Sequence, residues 1–226
     1  IRLSRNVEVD VDAIDISDPA TYKLYSDGRT IGTFQFESAG MQKYLRELQP
    51  STFEDLIAMN ALYRPGPMDY IPDFIDRKHG RKPIEYDIPV MEKYLKDTYG
   101  ITVYQEQVMR VAQVVGGYSL GGADLLRRAM GKKNVEEMKR QRAVFIKGAG
   151  ERGVKESVAT EIFDLMEKFA GYGFNKSHAA AYSYVAYQTA YLKVHHTAAF
   201  FAANLCMVMD DGDKMKALID DARANG

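Results

Sequence analysis

The residues of this chain that could do chemistry are mainly basic, and they are concentrated in one stretch. Between positions 127 and 155, ten Lys and Arg side chains stand against three Glu, which gives +7 within a 226-residue chain whose net charge is −1. Guanidinium groups bind phosphate oxygens through paired hydrogen bonds, and ammonium groups bind them as point charges. The stretch therefore predicts a surface for a triphosphate or a nucleic-acid backbone, although a solvated helix face explains the same charge.

One segment of this stretch, residues 125–133 (LLRRAMGKK), places its cations close together. A helical period puts the second leucine and the methionine on a buried face and leaves the basic side chains outside it. We expect Gly131 to end this helix and to turn the chain. Four cations then gather at one helix end: Arg127, Arg128, Lys132 and Lys133.

A second, smaller basic cluster comprises residues 76–82 (DRKHGRK), which are predicted to form a loop after a short helix over about 70–79. Arg77 and Lys78 are its candidate phosphate contacts. Cations also stabilise the carboxyl end of a helix, because they interact favourably with the helix dipole. Both interpretations of this cluster stay open.

The glycine-rich segment 171–178 (GYGFNKSH) is a candidate anion site. Its two glycines let the backbone approach a ligand and leave Tyr172 between them, where the ring could stack on a base. We expect Ser177 to cap the next helix. A helix start that offers backbone N–H groups together with Lys176 and His178 binds anions. A helix that ends at glycine, followed by an ordinary cap, explains the segment equally well.

Several other patterns do not carry the chemistry they resemble. Residues 148–153 match G-x-G-x-x-G, but they follow a helical pattern where a dinucleotide site needs a strand. The acidic pair Asp10 and Asp12 has no third carboxylate at a useful position, and four scattered histidines with one cysteine support no zinc site. No nucleophile with a base and an orienting group is visible. We therefore expect neither a catalytic residue nor a metal ligand in this chain.

The composition excludes disordered and collagen-like chains, since 46% of the residues are hydrophobic and 27% are charged. Polar residues interrupt the most apolar region, 179–209, so no membrane span is expected. The lone Cys206 lies in an apolar stretch, which excludes an intramolecular disulfide, fits a reducing cytoplasm and predicts a core position. The first residues, IRLSRN, contain neither an initiator Met nor a leader and indicate an excised fragment.

The periodicity predicts a mainly α fold with about ten helices and two short strands, at 31–36 (IGTFQF) and 101–104 (ITVY). Ser38 is expected to cap one early helix, and a capping box of Ser51 with Glu54 is expected to start the next. Glycines, Thr197 and the pair Asp211-Gly212 separate the later helices. These are expected at about 105–115, 120–130, 135–149, 155–170, 178–196, 198–209 and 213–224.

Six motifs, in order along the chain, resemble one protein family. They are GTFQFES at 32–38, RPGP at 64–67, FIDRKHG at 74–80, TYGITVYQEQVM at 98–109, GGADLLRRAMGKK at 121–133 and FAGYGFNKSHAAAY at 169–182. Together they resemble the bacterial DNA polymerase III alpha subunit family, the replicative family C polymerases, in its fingers region. The resemblance covers about residues 17–226.

The resemblance implies a family C fingers domain over residues 31–226, with its nucleotide- and DNA-facing basic part at about 120–180, after an acidic connector from the palm side at 1–30. Fingers of this family close over the incoming deoxynucleoside triphosphate (dNTP). The implied nucleotide-binding residues are Arg127, Arg128, Tyr172, Lys176 and His178. The candidate DNA- or phosphate-contacting residues, from charge and resemblance together, are Arg64, Arg77, Lys78, Lys132, Lys133, Lys139 and Arg140.

Family C polymerases hold two Mg²⁺ ions with palm aspartates, two of them in a P-D-x-D-x-D-F motif that this chain lacks. The resemblance implies a cytoplasmic DNA-directed DNA polymerase as the full-length protein, and a fragment that is inactive alone. The implied partners are dNTP, primer–template DNA, the rest of the alpha subunit and the replicase holoenzyme. Two alternatives stay open: the fingers of an error-prone family C paralogue, and a non-catalytic helical module that binds single-stranded nucleic acid or a protein.

Overall fold

The computed structural model describes residues 1–132, 135–170 and 173–225, and it is mainly α-helical. Within these residues there are thirteen α-helical segments, more than the ten or so expected, and four short 3₁₀ turns. The α-helices are α1 (Arg2–Arg5), α2 (Pro19–Ser26), α3 (Ala39–Leu48), α4 (Phe53–Leu62), α5 (Ile71–Lys78), α6 (Glu92–Leu95), α7 (Gln105–Val114), α8 (Leu120–Lys132), α9 (Val135–Gly150), α10 (Glu156–Ala170), α11 (Lys176–His195), α12 (Thr197–Met207) and α13 (Gly212–Ala224). The 3₁₀ turns are Val11–Ala13, Pro67–Tyr70, Pro89–Met91 and Lys96–Thr98.

The expected helices from position 105 onward are confirmed, with boundaries within about two residues of those read from the sequence. Glycine and polar caps end a helix for local reasons, so the sequence alone locates most of these ends. Ser38 also caps α3 as expected, because its hydroxyl accepts a hydrogen bond from the backbone N–H of Met41.

The chain divides into two compact units. The middle unit is Ala61–Ala179, and the terminal unit combines Ile1–Asn60 with Ala180–Gly226. The candidate phosphate-binding residues all belong to the middle unit, since the lowest of them is Arg64 and the highest is His178.

In the middle unit, α7 to α10 pack around one apolar core. The rings of Phe145 and Phe163 lie there with their centroids 5.5 Å apart. Leu126 and Met130 of α8 are buried in the same core, as their spacing predicts. Burial of this face fixes α8 and leaves its basic side chains outside the core.

Close packing accounts for the first glycine of the G-x-G-x-x-G match at 148–153. A Cβ atom at Gly148 would collide with the carbonyl oxygen of Gly116, so glycine lets α9 lie directly against that turn. The match begins within α9 rather than after a strand, as the sequence indicates. Gly148 therefore serves helix packing.

A buried ion pair holds the terminal unit together. Lys193 of α11, whose side chain is fully buried, donates a hydrogen bond of 2.6 Å to Asp221 of α13. Its ammonium group also donates to the carbonyl oxygens of Arg29 and Ile31, at 2.7 and 2.8 Å. Burial lowers the pKa of Lys193, and the hydrogen bond to Asp221 opposes that shift. One side chain thus joins two helices and the segment that follows α2.

Residues 31–36 were expected to form a strand, and this expectation is wrong, because they form consecutive turns. Gly32 and Gln35 have positive φ angles of 74° and 64°, which an extended strand does not contain. The hydroxyl groups of Thr30 and Thr33 each donate a 2.6 Å hydrogen bond to a carbonyl oxygen of the same segment. These local bonds replace the pairing that a partner strand would supply.

The second expected strand, 101–104, is reduced within the described residues to one parallel bridge between Tyr104 and Phe174. The backbone N–H of Gln105 donates to Phe174 O at 2.9 Å, and the N–H of Phe174 donates to Val103 O at 3.2 Å. Since α7 begins at Gln105, no residues remain to extend this pairing.

Two helix ends also differ from expectation. The capping box of α4 is formed by Thr52 and Asp55, one residue later than the expected Ser51 and Glu54. The N–H of Asp55 donates to the Thr52 hydroxyl at 3.4 Å, and the N–H of Thr52 donates to the Asp55 carboxylate at 3.2 Å. Gly131 does not end α8, because the helical backbone continues to Lys132.

Cys206 is exposed, so the expected core position is wrong. It lies on α12, whose buried residues are Phe200 and Phe201. The stretch is apolar on more than one side of the helix, and composition alone does not tell which side is covered.

We predict that Lys193→Ala destabilises the chain by about 3–5 kcal/mol, because it leaves Asp221 buried without its counter-charge. Urea unfolding of the wild type and the variant measures this free energy. The matched control is Lys214→Ala, which removes an exposed ion pair to Asp211 and should cost no more than about 1 kcal/mol. Equal losses in the two variants would contradict the assigned role of Lys193.

Candidate nucleotide and nucleic-acid interface

The paired arginines of α8 are held by one carboxylate on the same helix. Asp124 Oδ1 accepts from Arg127 Nε at 3.0 Å and from Arg127 Nη2 at 2.7 Å. Asp124 Oδ2 lies 2.8 Å from Arg128 Nε. The hydrogen bond from Arg127 and the charges of both arginines lower the pKa of Asp124, so it is a carboxylate at neutral pH. Spacings of i,i+3 and i,i+4 make this arrangement possible.

A glutamine joins Arg127 to the glycine-rich segment. Arg127 Nη1 donates to Gln105 Oε1 at 3.2 Å, and Gln105 Nε2 donates to the carbonyl oxygen of Gly173 at 2.8 Å. The side chain of Arg127 is 26% exposed, whereas that of Arg128 is 62% exposed. Arg127 is therefore fixed on two sides, while Arg128 is fixed at one nitrogen and extends into solvent.

A carboxylate of α7, that of Glu106, binds the start of α11. Both oxygens of Glu106 accept from the backbone N–H of Lys176, at 3.0 and 3.2 Å, and one accepts from Asn175 Nδ2 at 2.8 Å. Asn175, rather than the expected Ser177, caps the helix, because its Oδ1 accepts from the N–H of His178 at 2.8 Å. Two N–H groups that could have bound an anion thus have partners within the chain. We therefore expect side chains, rather than these backbone N–H groups, to bind phosphate here.

An aromatic ring brings two of the expected residues together. The guanidinium carbon of Arg64 lies 4.4 Å from the ring centroid of Phe174, and the rings of Phe174 and His178 are 5.4 Å apart. Arg64 Nε also donates to the carbonyl oxygen of Ala61 at 2.8 Å. Burial lowers the pKa of Arg64, which nevertheless stays a cation at neutral pH.

Lys176 lies in the same region with two partners of its own. Its ammonium nitrogen is 3.9 Å from a carboxylate oxygen of Asp97 and 5.4 Å from the ring centroid of Tyr104. Lys176 and His178 thus belong to segment 173–178, Arg64 contacts it at Phe174, and Arg127 is joined to it through Gln105. Tyr172 and Lys133, also expected at the site, lie outside the described residues.

The other expected phosphate contacts within the described residues lie on α5, α8 and α9. Lys139 and Arg140 are exposed on α9 and pair with the glutamates three positions before them, at 3.4 and 2.7 Å. Arg77 donates to Tyr99 O at 3.1 Å and lines a cavity of about 230 Å³. Lys78, with Arg77, occupies the last turn of α5, and Lys132 is exposed at the end of α8.

Four residues of this region were not identified from the sequence: Gln105, Glu106, Asp124 and Phe174. All four fall inside the family motifs. Of these, only Asp124 could be predicted locally, because an aspartate three positions before Arg127 indicates an i,i+3 ion pair on a helix. Gln105 and Glu106 act through contacts across about 70 positions of the chain, and the ring of Phe174 faces Arg64 across 110 positions, which spacing does not reveal.

Within the described ranges, the structure contains no group of three or more His, Cys, Asp or Glu side chains that could hold a metal ion. The carboxylate of Asp10 accepts from the backbone N–H of Asp12 at 3.0 Å and serves as a local cap. None of the helices in the described part of the chain has both the length and the apolar character needed to cross a bilayer.

Comparison with known proteins agrees with this arrangement of motifs. The chain matches the model of the bacterial DNA polymerase III alpha subunit finger domain over residues 1–153. It is 54% identical to the DNA polymerase III subunit alpha of Thermus aquaticus over 231 residues, which cover 100% of this chain and 19% of that protein. The corresponding protein of Xylella fastidiosa (strain 9a5c) is 58% identical over 216 residues, covering 95% of this chain and 18% of that protein. That of Neisseria meningitidis serogroup A is 55% identical over 218 residues, covering 96% and 19%.

The chain belongs to the bacterial DNA polymerase III alpha subunit family, in its finger domain. It spans about a fifth of the length of these relatives.

We predict that Glu106→Ala destabilises the chain by about 1–2 kcal/mol, because the start of α11 loses its acceptor for Lys176 N–H. Glu106→Gln should lose less, since one acceptor oxygen remains. Hydrogen exchange at the Lys176 amide should accelerate in the alanine variant, and urea unfolding gives the free energy.

The matched control is Glu167→Ala, an exposed glutamate of α10, which should change stability by less than about 0.5 kcal/mol. Unchanged exchange at Lys176 in Glu106→Ala would show that the carboxylate does not hold this helix start.

Proposed function

We propose that this chain is the fingers domain of a replicative DNA-directed DNA polymerase, where it positions the incoming dNTP and contacts the DNA backbone. The observation that carries the proposal is the fixed Arg127 guanidinium beside segment 173–178, in a chain similar to proteins named DNA polymerase III subunit alpha. The reaction would occur in the full-length protein in the cytoplasm, with the rest of the alpha subunit and the replicase holoenzyme as partners.

Arg127 and Arg128 are proposed to bind the phosphates of the dNTP. Arginine has five N–H donors, and three of those of Arg127 are engaged by Asp124 and Gln105. The other two would reach phosphate oxygens in a fixed direction, and Arg128 would add charge from its exposed position. Holding a triphosphate in line for attack by the primer hydroxyl lowers the barrier by positioning and charge neutralisation.

The residues of segment 171–178 are proposed to complete the nucleotide site. Lys176 would approach a phosphate and His178 would lie near the nucleotide, because both belong to the segment that Gln105 joins to Arg127. Tyr172 is proposed to stack near the base. Since Glu106 and Asn175 occupy two N–H groups of the helix start, we expect contact through these side chains rather than through the backbone.

The described residues do not fit a magnesium site, so no step in this chain runs through the metal. Mg²⁺ would be held by residues of the full-length polymerase that this chain does not contain, and it would supply charge stabilisation for phosphoryl transfer. The proposed contribution of this chain is to bind and orient the triphosphate. We therefore expect the isolated chain not to extend a primer.

The DNA backbone is proposed to lie along the seven candidate DNA- or phosphate-contacting cations of the middle unit. These are Arg64, Arg77, Lys78, Lys132, Lys133, Lys139 and Arg140. Phosphate contacts of this kind fix position without reading sequence. Exposed lysines and arginines paired only with nearby glutamates, such as Lys139 and Arg140, can exchange those partners for phosphates.

We predict that Arg127→Ala or Arg128→Ala in the full-length polymerase lowers kcat/KM for dNTP by about 10² or more, because a donor to the triphosphate charge is lost. Affinity for primer–template DNA should barely change. Lysine at either position should restore only part of the rate, since an ammonium group lacks the planar fork.

The control is Arg223→Ala, which removes an exposed helix arginine paired with Asp220 and should leave these kinetics unchanged. A loss confined to primer–template affinity would place Arg127 and Arg128 on the DNA backbone instead of the nucleotide.

We predict that the isolated chain binds single-stranded DNA weakly and without base preference, through residues 127–155. The logarithm of its affinity should fall with the logarithm of salt concentration, by about 0.7 per phosphate neutralised. Charge reversal by Lys139→Glu with Arg140→Glu should flatten this slope. The same change at Lys214 and Lys216 of α13 is the control and should not flatten it. Salt-independent binding, or a strong sequence preference, would contradict the prediction.

A further inference from the structure

Two different side chains hold the guanidinium of Arg127. Asp124 engages Nε and Nη2 from one side, and Gln105 engages Nη1 from the other. By comparison, Arg223 has the same spacing to Asp220 but a single contact at 3.7 Å, with side chains 78% and 59% exposed. Ion pairs of that open kind orient a side chain only weakly.

We propose that Asp124 and Gln105 are positioning residues for the dNTP site, which set the orientation of Arg127 through opposite edges of its guanidinium. The inference rests on the proposed function of Arg127. We do not expect either residue to contact the nucleotide. They act through Arg127. Gln105 also links the position of Arg127 to segment 173–178, because it donates a hydrogen bond to the carbonyl oxygen of Gly173.

The charges indicate that orientation, rather than attraction, is what Asp124 contributes. Its carboxylate lies between Arg127 and Arg128 and offsets part of their positive charge. On Coulombic grounds alone, a carboxylate beside a triphosphate site weakens binding of the anion. A fixed guanidinium, however, needs no reorganisation when the reacting phosphate develops charge, which favours the transition state over the ground state.

Gln105 has a different contribution, because it is neutral and uses both ends of its amide. Its oxygen accepts from Arg127, and its NH₂ group donates to Gly173 O. The position of Arg127 is thereby coupled to the segment that carries Lys176 and His178. A shift of this segment would therefore also move Arg127, so the cations on α8 and on the segment keep a fixed arrangement relative to each other.

The test uses the full-length polymerase, with primer–template DNA and a correct dNTP. In Asp124→Asn the charge is lost but an acceptor oxygen remains, so kcat should fall about tenfold or more while KM for dNTP stays equal or decreases. In Gln105→Ala kcat should fall similarly with little change in primer–template affinity. Rates are taken per active site from the burst amplitude, so that unfolded protein does not contribute.

Two matched controls separate positioning from loss of a surface contact. Asp220→Asn removes an aspartate with the same i,i+3 arginine spacing, and Gln113→Ala removes a glutamine of α7 that also accepts from an arginine, Arg110. Both should leave kcat within about twofold of the wild type.

A double variant tests whether Gln105 acts through Arg127. If it does, Gln105→Ala should cause no further loss of kcat when Arg127 is already alanine, whereas independent effects would multiply. A merely structural role of Gln105 would give multiplied effects and would overturn the assignment.

The outcomes separate this inference from the function on which it rests. If Arg127→Ala lowers kcat/KM for dNTP but Asp124→Asn and Gln105→Ala behave like their controls, only the positioning assignment is wrong. A rise in KM with unchanged kcat in Asp124→Asn would also overturn it. If Arg127→Ala itself leaves dNTP kinetics unchanged, the proposed function fails, and the inference fails with it.

Discussion

The contact between the start of α7 and segment 173–178 is the interaction on which the rest of the candidate site depends. Gln105 bonds this segment through its backbone and its side chain, and Glu106 accepts from the N–H that opens α11. These bonds join parts of the chain about 70 positions apart. Without them Arg127 would keep its bonds to Asp124 but lose its link to this segment, and the ring of Phe174, which faces Arg64, would lose its backbone anchors.

Several cations of the basic stretch are paired with carboxylates in the folded chain. The net charge between 127 and 155 is +7. One carboxylate holds both arginines of α8, and Lys139 and Arg140 of α9 pair with preceding glutamates. A surface of this kind holds these cations in defined positions. Such ordering suits a ligand whose charges must be met in one geometry, since preorganised donors are worth more than mobile ones.

The sequence predicts the helices from α7 to α13 well, because glycine, polar caps and apolar spacing act locally. It fails where an alternating pattern meets special backbone angles, as at Gly32 and Gln35. Basic candidates such as Arg127 could be found from charge and spacing, but the partners that orient them could not. Gln105 is an ordinary first-turn residue until the fold brings Gly173 beside it.

The most direct test of the central claim is a cryo-electron microscopy structure of the full-length polymerase with primer–template DNA and a non-hydrolysable incoming dNTP. We expect Arg127 to keep its contacts with Asp124 and Gln105 while its other N–H groups lie within about 3.2 Å of triphosphate oxygens. A structure in which Arg127 contacts only the DNA backbone, or leaves Asp124 and Gln105 to reach the nucleotide, would contradict it.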